Sequence, residues 1–135
     1  MAKHQAIVGV GSNIEPEKNI DRALAIIRDE QELVAESAMI QTKPVGIVNQ
    51  PDFVNGALLI NTELDYGAFN QYLKDVESRL QRDVDQKDFG PRTIDLDIVV
   101  WDGKVVHDDY YQYDHTRAPV KELIQQFGLA IVEDR

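Results

Sequence analysis

Two spacings of apolar residues alternate along this 135-residue chain, and their order is the strongest constraint on its fold. Strand-like patterns are predicted over residues 5–10, 33–41, 53–64 and 93–101. Helical spacing is predicted over residues 16–29 and again after Asp65, which is able to cap the second helix. This β-α-β-β-α-β order predicts an α+β, ferredoxin-like split βαβ fold with an antiparallel sheet and helices on one face.

The remaining third of the chain is predicted to form a short C-terminal extension. The Asp102-Gly103 pair is a strong tight-turn signal, after which residues 104–107 are able to return as a hairpin strand. Pro119 is predicted to open a last helix that Gly128 ends. Residues 129–132 could add an edge strand.

Composition limits the classes of function that fit the chain. The formal net charge is −10, which repels nucleic acid and anionic lipid, so neither is expected as a partner. No apolar run approaches the ~20 residues that span a bilayer. The chain has no cysteine, which excludes thiolate catalysis and disulfides. A single domain over residues 1–135 with a cytoplasmic location is expected, and the oligomeric state is left open.

Two aspartates lie inside the last predicted strand of the split βαβ unit. Because side chains alternate across a strand, Asp95 and Asp97 share one face while Ile94 and Leu96 share the other. Two close carboxylates repel unless a cation lies between them, and oxygen ligands in this pattern suit magnesium. Arg92 follows a stiff Gly-Pro corner and has the fork geometry that matches phosphate. The pattern favours magnesium-assisted phosphoryl chemistry, although a solvated strand face with an Arg–Asp pair would look the same.

A longer string makes the functional interpretation more specific. The sequence Gly-Pro-Arg-Thr-Ile-Asp-Leu-Asp-Ile at residues 90–98 resembles the signature of the hydroxymethyldihydropterin pyrophosphokinase family. The Gly-Ser-Asn turn at residues 11–13 resembles the family's N-terminal turn. The Thr-x-Pro-x-Gly loop at residues 42–46 and the Gln-Pro-Asp-Phe-x-Asn stretch at residues 50–55 resemble its pterin-binding segments. The resemblance covers residues 5–107 and agrees with the fold that the apolar pattern predicts.

The resemblance implies a reaction and a set of site residues. The family transfers pyrophosphate from ATP to the hydroxyl of a pterin alcohol in folate biosynthesis and releases AMP, with two Mg²⁺ ions. By similarity, the metal ligands are Asp95 and Asp97. The residues that hold the phosphates and stabilise the transferring charge, and so count with those two aspartates as catalytic, are Arg82 and Arg92.

The resemblance also divides the remaining candidates between the two substrates. By similarity, the pterin-binding residues are Thr42, Pro44, Val45, Phe53 and Asn55. The nucleotide-binding residues, in addition to the two arginines, are Glu77, Ile98, His115 and Arg117. An aromatic ring and an amide two positions apart on a strand face the same way, so one is able to stack on a flat heterocycle while the other binds its polar edge.

The C-terminal third differs from the family pattern and leaves alternatives open. Only Ala118 separates Arg117 from Pro119, where the family has an aromatic-led apolar run, and Tyr110, Tyr111 or Tyr113 could substitute for the missing ring. The chain could therefore be a divergent paralogue that acts on another acceptor, or a non-catalytic nucleotide- or pterin-binding module. Gly9 and Gly11 lack the third glycine of a dinucleotide-binding loop and are interpreted as part of a turn.

Overall fold

The structure, a computed structural model, describes residues 3–43, 51–81 and 93–133. Its helices and strands follow the predicted order and continue into a C-terminal extension. In chain order they are β1 (His4–Ser12), α1 (Pro16–Glu30), β2 (Glu32–Glu36), β3 (Ile40–Thr42), β4 (Phe53–Thr62), α2 (Tyr66–Gln81), β5 (Asp95–Trp101), β6 (Lys104–Val105), α3 (Asp109–Gln112) and α4 (Asp114–Phe127).

The strands form one antiparallel sheet in the order β2-β4-β1-β5-β6, with β3 paired to the first half of β4. The central strand β1 pairs with β4 along its whole length and with β5 from Ala6 to Gly11. The two strands at the ends of the split βαβ unit are therefore neighbours, as this topology requires. The predicted antiparallel α+β sheet is confirmed.

Helices α1 and α2 cover one face of the sheet, as predicted. The apolar stripes of α1, at Ile20 and Leu24, and of α2, at Phe69 and Leu73, are almost entirely buried. They pack against the buried side chains of the central strands and of Ile94, which directly precedes β5. The strand members of this set are Ala6, Val8, Val10, Leu58, Ile60, Leu96 and Ile98. Asp65 begins α2 as predicted, because its carboxylate accepts a hydrogen bond from the Ala68 N–H at 2.8 Å.

The C-terminal extension covers part of the opposite face, so the prediction of helices on one face holds only for α1 and α2. Val120 and Leu123 of α4 lie with Ala57 and Leu59 of β4 in a second buried cluster. The fully buried ring of Tyr110 in α3 belongs to the same cluster. Helix α4 therefore borders one end of this face of the sheet. The candidate site lies at that end.

The predicted strand over residues 33–41 is wrong as a single element, because it divides into β2 and β3. Ser37 causes the interruption: its hydroxyl accepts a hydrogen bond from the Ala57 N–H at 2.8 Å, which replaces a backbone ladder bond. The predicted turn at residues 11–13 is also partly wrong, since Gly11 and Ser12 continue β1. The predicted Asp102-Gly103 turn is confirmed, with positive φ values of 48° and 83° that suit a tight hairpin.

The last helix begins five residues before Pro119, so the predicted start is wrong. α4 starts at Asp114, and Pro119 lies inside it. Burial of Val120 and Leu123 against the sheet holds the helix in register despite the backbone donor that proline lacks. The predicted edge strand at residues 129–132 is reduced to one bridge, in which Val132 pairs parallel to Lys104. Across the described ranges, no helix is both long and apolar enough to cross a membrane.

Candidate active site

A pocket of about 130 Å³ opens on the sheet face that α4 partly covers. Strands β1, β4 and β5 form its floor, and the first turn of α4 contributes to its wall. The described residues that line it are Gly9, Val10, Gly11, Thr42, Lys43, Phe53, Asn55, Gly56, Asp95, Asp97, Val99, His115 and Thr116. Predicted pterin residues and predicted metal ligands therefore meet in one pocket.

The sheet register explains why these residues meet. Gly11 of β1 pairs with Asn55 of β4 on one side and with Asp95 of β5 on the other. Gly9 pairs in the same way with Asp97 of β5. Neighbouring strands lie ~4.8 Å apart, so the backbones of Asn55 and Asp95 are roughly 10 Å apart, with Gly11 between them.

Gly9 and Gly11 keep the floor of the pocket free of side chains. Neither was predicted from the sequence to be a site residue. A Cβ on Gly9 would lie 3.4 Å from Val99 Cγ2, and a Cβ on Gly11 would lie 2.7 Å from Asn55 Oδ1. A side chain at either position would point to the pocket face, because residues alternate along β1. The available signal was the Gly-x-Gly spacing inside an otherwise apolar strand, since glycine in a strand interior often marks a close approach.

The alternation predicted for β5 is confirmed. Asp95 and Asp97 line the pocket and are partly exposed, whereas Leu96 and Ile98 are buried beneath α1 and α2. The strand therefore separates its carboxylates from its core side chains by the period of two.

Helix α2 contributes two charged side chains that hold β5. The Leu96 N–H donates a hydrogen bond to Glu77 Oε2 at 2.7 Å. Lys74 Nζ donates to the Leu96 carbonyl at 3.0 Å and lies 3.2 Å from Glu77 Oε2 and 3.4 Å from Asp97 Oδ1. The family resemblance points to Glu77 and not to Lys74, although the spacing of three places both residues on one side of the helix.

Burial and charge act in opposite directions on these two groups. Burial raises the pKa of Glu77, and the Leu96 N–H and the Lys74 ammonium offset this only in part. Burial acts to lower the pKa of Lys74, but Asp97 and Glu77 outweigh it and raise the pKa above its usual value. The ammonium therefore stays charged beside the carboxylates.

The donor set fits a magnesium ion that completes its shell with water and substrate. Asp95 and Asp97 supply carboxylates from one strand face. Within the described part of the chain, no group of three or more His, Asp or Glu side chains is arranged to hold a metal. Magnesium usually takes one or two carboxylates together with water and phosphate oxygens, so two aspartates beside an open pocket suit it.

The predicted pterin residues within the described ranges cluster on the β3–β4 side of the pocket. Asn55 Nδ2 donates to Thr42 Oγ1 at 2.6 Å, which joins the two strands and fixes the amide. Phe53 lies two residues before Asn55 on the same strand face and also lines the pocket. Pro44 and Val45 lie outside the described residues.

The first turn of α4 brings His115 to the pocket and directs Arg117 elsewhere. The half-buried His115 ring stacks on Tyr113, with 5.1 Å between ring centroids and 15° between planes. Burial lowers the pKa of His115, against the opposing effects of Asp109 and Asp114. Arg117 donates to the carbonyls of Tyr110 and Tyr111 at 3.3 and 3.1 Å and also pairs with Asp114.

The other predicted nucleotide residues differ in what the structure describes. Arg82 and Arg92 lie outside the described residues. The side chain of Ile98 is buried in the cluster beneath α1 and α2, so any nucleotide contact there would use its backbone. Three tyrosines could substitute for a missing ring. Tyr110 is buried, and Tyr111 packs edge-on against it. Tyr113 stacks on the ring of His115.

Comparison with known proteins shows the family of the chain. The family model for 7,8-dihydro-6-hydroxymethylpterin-pyrophosphokinase (HPPK) matches residues 7–125. A curated 2-amino-4-hydroxy-6-hydroxymethyldihydropteridine pyrophosphokinase from Campylobacter jejuni is 34% identical over 119 residues, which cover 86% of this chain and 75% of the relative. The protein of the same name from Haemophilus influenzae is 31% identical over 122 residues, covering 88% and 76%. That from Bacillus subtilis is 29% identical over 132 residues, covering 90% and 78%.

Proposed function

The chain belongs to the 7,8-dihydro-6-hydroxymethylpterin-pyrophosphokinase family, and on this premise we propose that it transfers a diphosphate group from ATP to the hydroxyl of hydroxymethyldihydropterin, a step of folate biosynthesis. The acceptor oxygen forms a bond to the β-phosphorus of ATP, and the bond from that phosphorus to the oxygen bridging the α-phosphate breaks. AMP leaves with the bridging oxygen, and the hydroxyl proton is released.

One observation carries the proposal: a predicted acceptor residue and a predicted metal ligand flank the same glycine. Asn55 and Asp95 pair with Gly11 from opposite sides, and both line one pocket. A pterin held at the Asn55 side would present its substituent toward the carboxylates. Phosphoryl-type transfer depends mainly on such positioning and on neutralisation of charge.

The acceptor half of the proposal rests on the size and lining of the pocket. A cavity of about 150 Å³ is known to hold one benzene ring, so a pocket of about 130 Å³ has room for part of a flat heterocycle. Phe53 offers an aromatic face for stacking, and the Asn55 amide, fixed by Thr42, offers polar contacts to the ring edge. We extend this side of the site to Pro44 and Val45 by family similarity alone.

The transfer half rests on Asp95 and Asp97, for which we propose two Mg²⁺ ions as partners. When bound, the ions would neutralise the phosphate oxygens of ATP. The protein's own contribution is to hold the two carboxylates on one strand face, with Leu96 fixed on both backbone groups by α2. We assign Arg82 and Arg92, by family similarity, to the phosphates and to the transferring charge.

The remaining nucleotide assignments stay predictions. The Glu77 carboxylate already accepts a hydrogen bond from the Leu96 N–H, and the Arg117 guanidinium already donates to two carbonyls. Each would bind a nucleotide only in addition to these contacts. His115 lines the same pocket as Phe53 and Asn55, so we propose that it contacts the acceptor.

The test is AMP formation from ATP and Mg²⁺, measured with and without hydroxymethyldihydropterin. AMP is expected only when the pterin is present, together with a diphosphorylated pterin in equal amount. Absence of AMP over hours with both substrates would reject the proposed reaction. In that case, a rise in melting temperature with pterin or ATP would identify a binding module, whereas AMP released with another hydroxyl compound would identify a paralogue.

A further inference from the structure

The amino group of Lys74 lies where α2 meets the edge of the metal-binding strand. Its Nζ contacts three oxygens: the Leu96 carbonyl at 3.0 Å, Glu77 Oε2 at 3.2 Å and Asp97 Oδ1 at 3.4 Å. Two of these oxygens belong to β5, so one ammonium joins the backbone of the strand to the carboxylate of the next residue.

The position of Lys74 follows from the pairing of β5. Strand β6 pairs only with Val100 and Trp101, so it does not reach Leu96. Helix α2 takes its place there, because Glu77 accepts the Leu96 N–H and Lys74 donates to the Leu96 carbonyl. The two side chains satisfy backbone groups that an edge strand otherwise leaves open. Lys74 is thus held at the strand edge independently of its contact with Asp97.

The positive charge of Lys74 matters because Asp97 is also the proposed ligand of a divalent cation. A carboxylate that holds an ammonium at 3.4 Å is already partly neutralised. A divalent cation at the same carboxylate would meet the repulsion of that ammonium, which the backbone contact keeps nearby.

We propose that Lys74 is a positioning residue for the metal site, which orients Asp97 and supplies the positive charge that a divalent cation must displace. The inference rests on the metal site of the proposed function and deepens it. Lys74 weakens the binding of a bare ion, so that the metal is held firmly only when nucleotide phosphates bring further oxygen ligands and negative charge.

The experiment measures Mn²⁺ binding to the protein without nucleotide or pterin, by the electron paramagnetic resonance signal of free Mn²⁺. Lys74→Met removes the charge and keeps much of the side-chain length, while Lys74→Arg keeps the charge. We expect Lys74→Met to bind Mn²⁺ about three- to thirtyfold more tightly than the wild type, the range given in water by the repulsion between a single and a double positive charge several ångströms apart. Lys74→Arg should bind within about twofold of the wild type, because the repulsion persists.

Two further variants make the result specific. Lys74→Gln removes the charge but keeps a donor for the Leu96 carbonyl, so it serves if Lys74→Met folds poorly, and it should also bind Mn²⁺ more tightly. When Asp97→Asn is added both to the wild type and to Lys74→Met, the difference in Mn²⁺ affinity between the two proteins should become smaller, because the ion loses the carboxylate that holds it beside Lys74.

An unchanged or weaker Mn²⁺ affinity in folded Lys74→Met and Lys74→Gln would overturn the proposal. So would a gain in affinity that is undiminished in the Asp97→Asn background. The assay contains neither ATP nor pterin, so its outcome is independent of AMP formation. Tighter Mn²⁺ binding without any AMP in the activity assay would uphold the role of Lys74 and reject the proposed reaction.

Discussion

Gly11 and Asn55 are register partners, and the glycine leaves the space that the amide occupies. A Cβ built on Gly11 would lie only 2.7 Å from Asn55 Oδ1. The same amide donates to Thr42 Oγ1 at 2.6 Å, so it has little freedom to move aside. The size of residue 11 therefore decides where the predicted pterin-binding amide points.

We expect Gly11→Ala to weaken pterin binding by about 1–3 kcal/mol, the usual scale for one carbon too many in a packed site. The added methyl would displace Asn55 from Thr42. Quenching of pterin fluorescence measures the affinity. Gly67→Ala is the matched control, since a Cβ there meets only Asp65 Oδ1, at 3.8 Å, and it should leave pterin affinity unchanged. Equal affinities of the Gly11→Ala and wild-type proteins would contradict this account of the pocket floor.

Glu77 is expected to stabilise β5 as a hydrogen-bond acceptor rather than as a charge. Burial raises its pKa, so its ionised form is held at a cost. Glu77→Gln keeps an acceptor for the Leu96 N–H and should be about as stable as the wild type. Glu77→Ala leaves that N–H without its acceptor and should lose about 1–3 kcal/mol. Urea unfolding measures both, and equal stability of the Ala and Gln variants would refute the assignment.

His115 is expected to contact the acceptor through its ring. Replacement by Phe keeps an aromatic surface, whereas Ala removes it, so pterin affinity should fall by about 1–3 kcal/mol in the Ala variant and much less in the Phe variant. Titrations with pterin and with an ATP analogue separate the two substrates. Loss of nucleotide affinity in both variants with unchanged pterin affinity would favour the nucleotide role that the family resemblance implies.

The lowered pKa of His115 also predicts a pH dependence of stability. On acidification the unfolded chain takes up the proton first, near its ordinary pKa of about 6.5, and the folded protein does so only at lower pH. Between the two values the unfolded state binds more protons, so stability falls as pH falls. Asp109 and Asp114 act against the shift without reversing it.

The melting temperature of the wild type should therefore fall further than that of His115→Phe when the buffer is changed from about pH 7.5 to about pH 5.5. Other titrating groups are common to both proteins, so the difference between them isolates His115. A parallel decline of the two melting temperatures would show that the imidazole has the same pKa in both states.

The sequence predicted the parts of the fold that local periodicity determines. Asp65 began α2 as expected, and Asp95 and Asp97 face away from Leu96 because a strand has a period of two. The broken strand at Ser37 could not be predicted, because it depends on a bond between the serine hydroxyl and Ala57, 20 residues away. The early start of α4 depends likewise on the burial of Val120 against the sheet.

Part of the site was hidden from the sequence for the same reason. The role of Gly11 follows from its partners on two other strands, and that of Lys74 from the reach of α2 to the edge of β5. Both are properties of the assembled sheet. His115 and Arg117 are close in sequence, but the helix turns one toward the pocket and the other toward α3.

The rate of pterin-dependent AMP formation in Asp97→Asn, compared with Asp21→Asn, tests the central claim most directly. The two variants make the same charge change, but Asp97 lines the pocket whereas Asp21 is exposed on α1, against the opposite face of the sheet. Asp97→Asn should lose at least about a hundredfold in rate with its fold intact, since charge neutralisation at the phosphates carries most of the catalysis. Asp21→Asn should match the wild type. Wild-type AMP formation in folded Asp97→Asn would contradict the claim that this strand carries the chemistry.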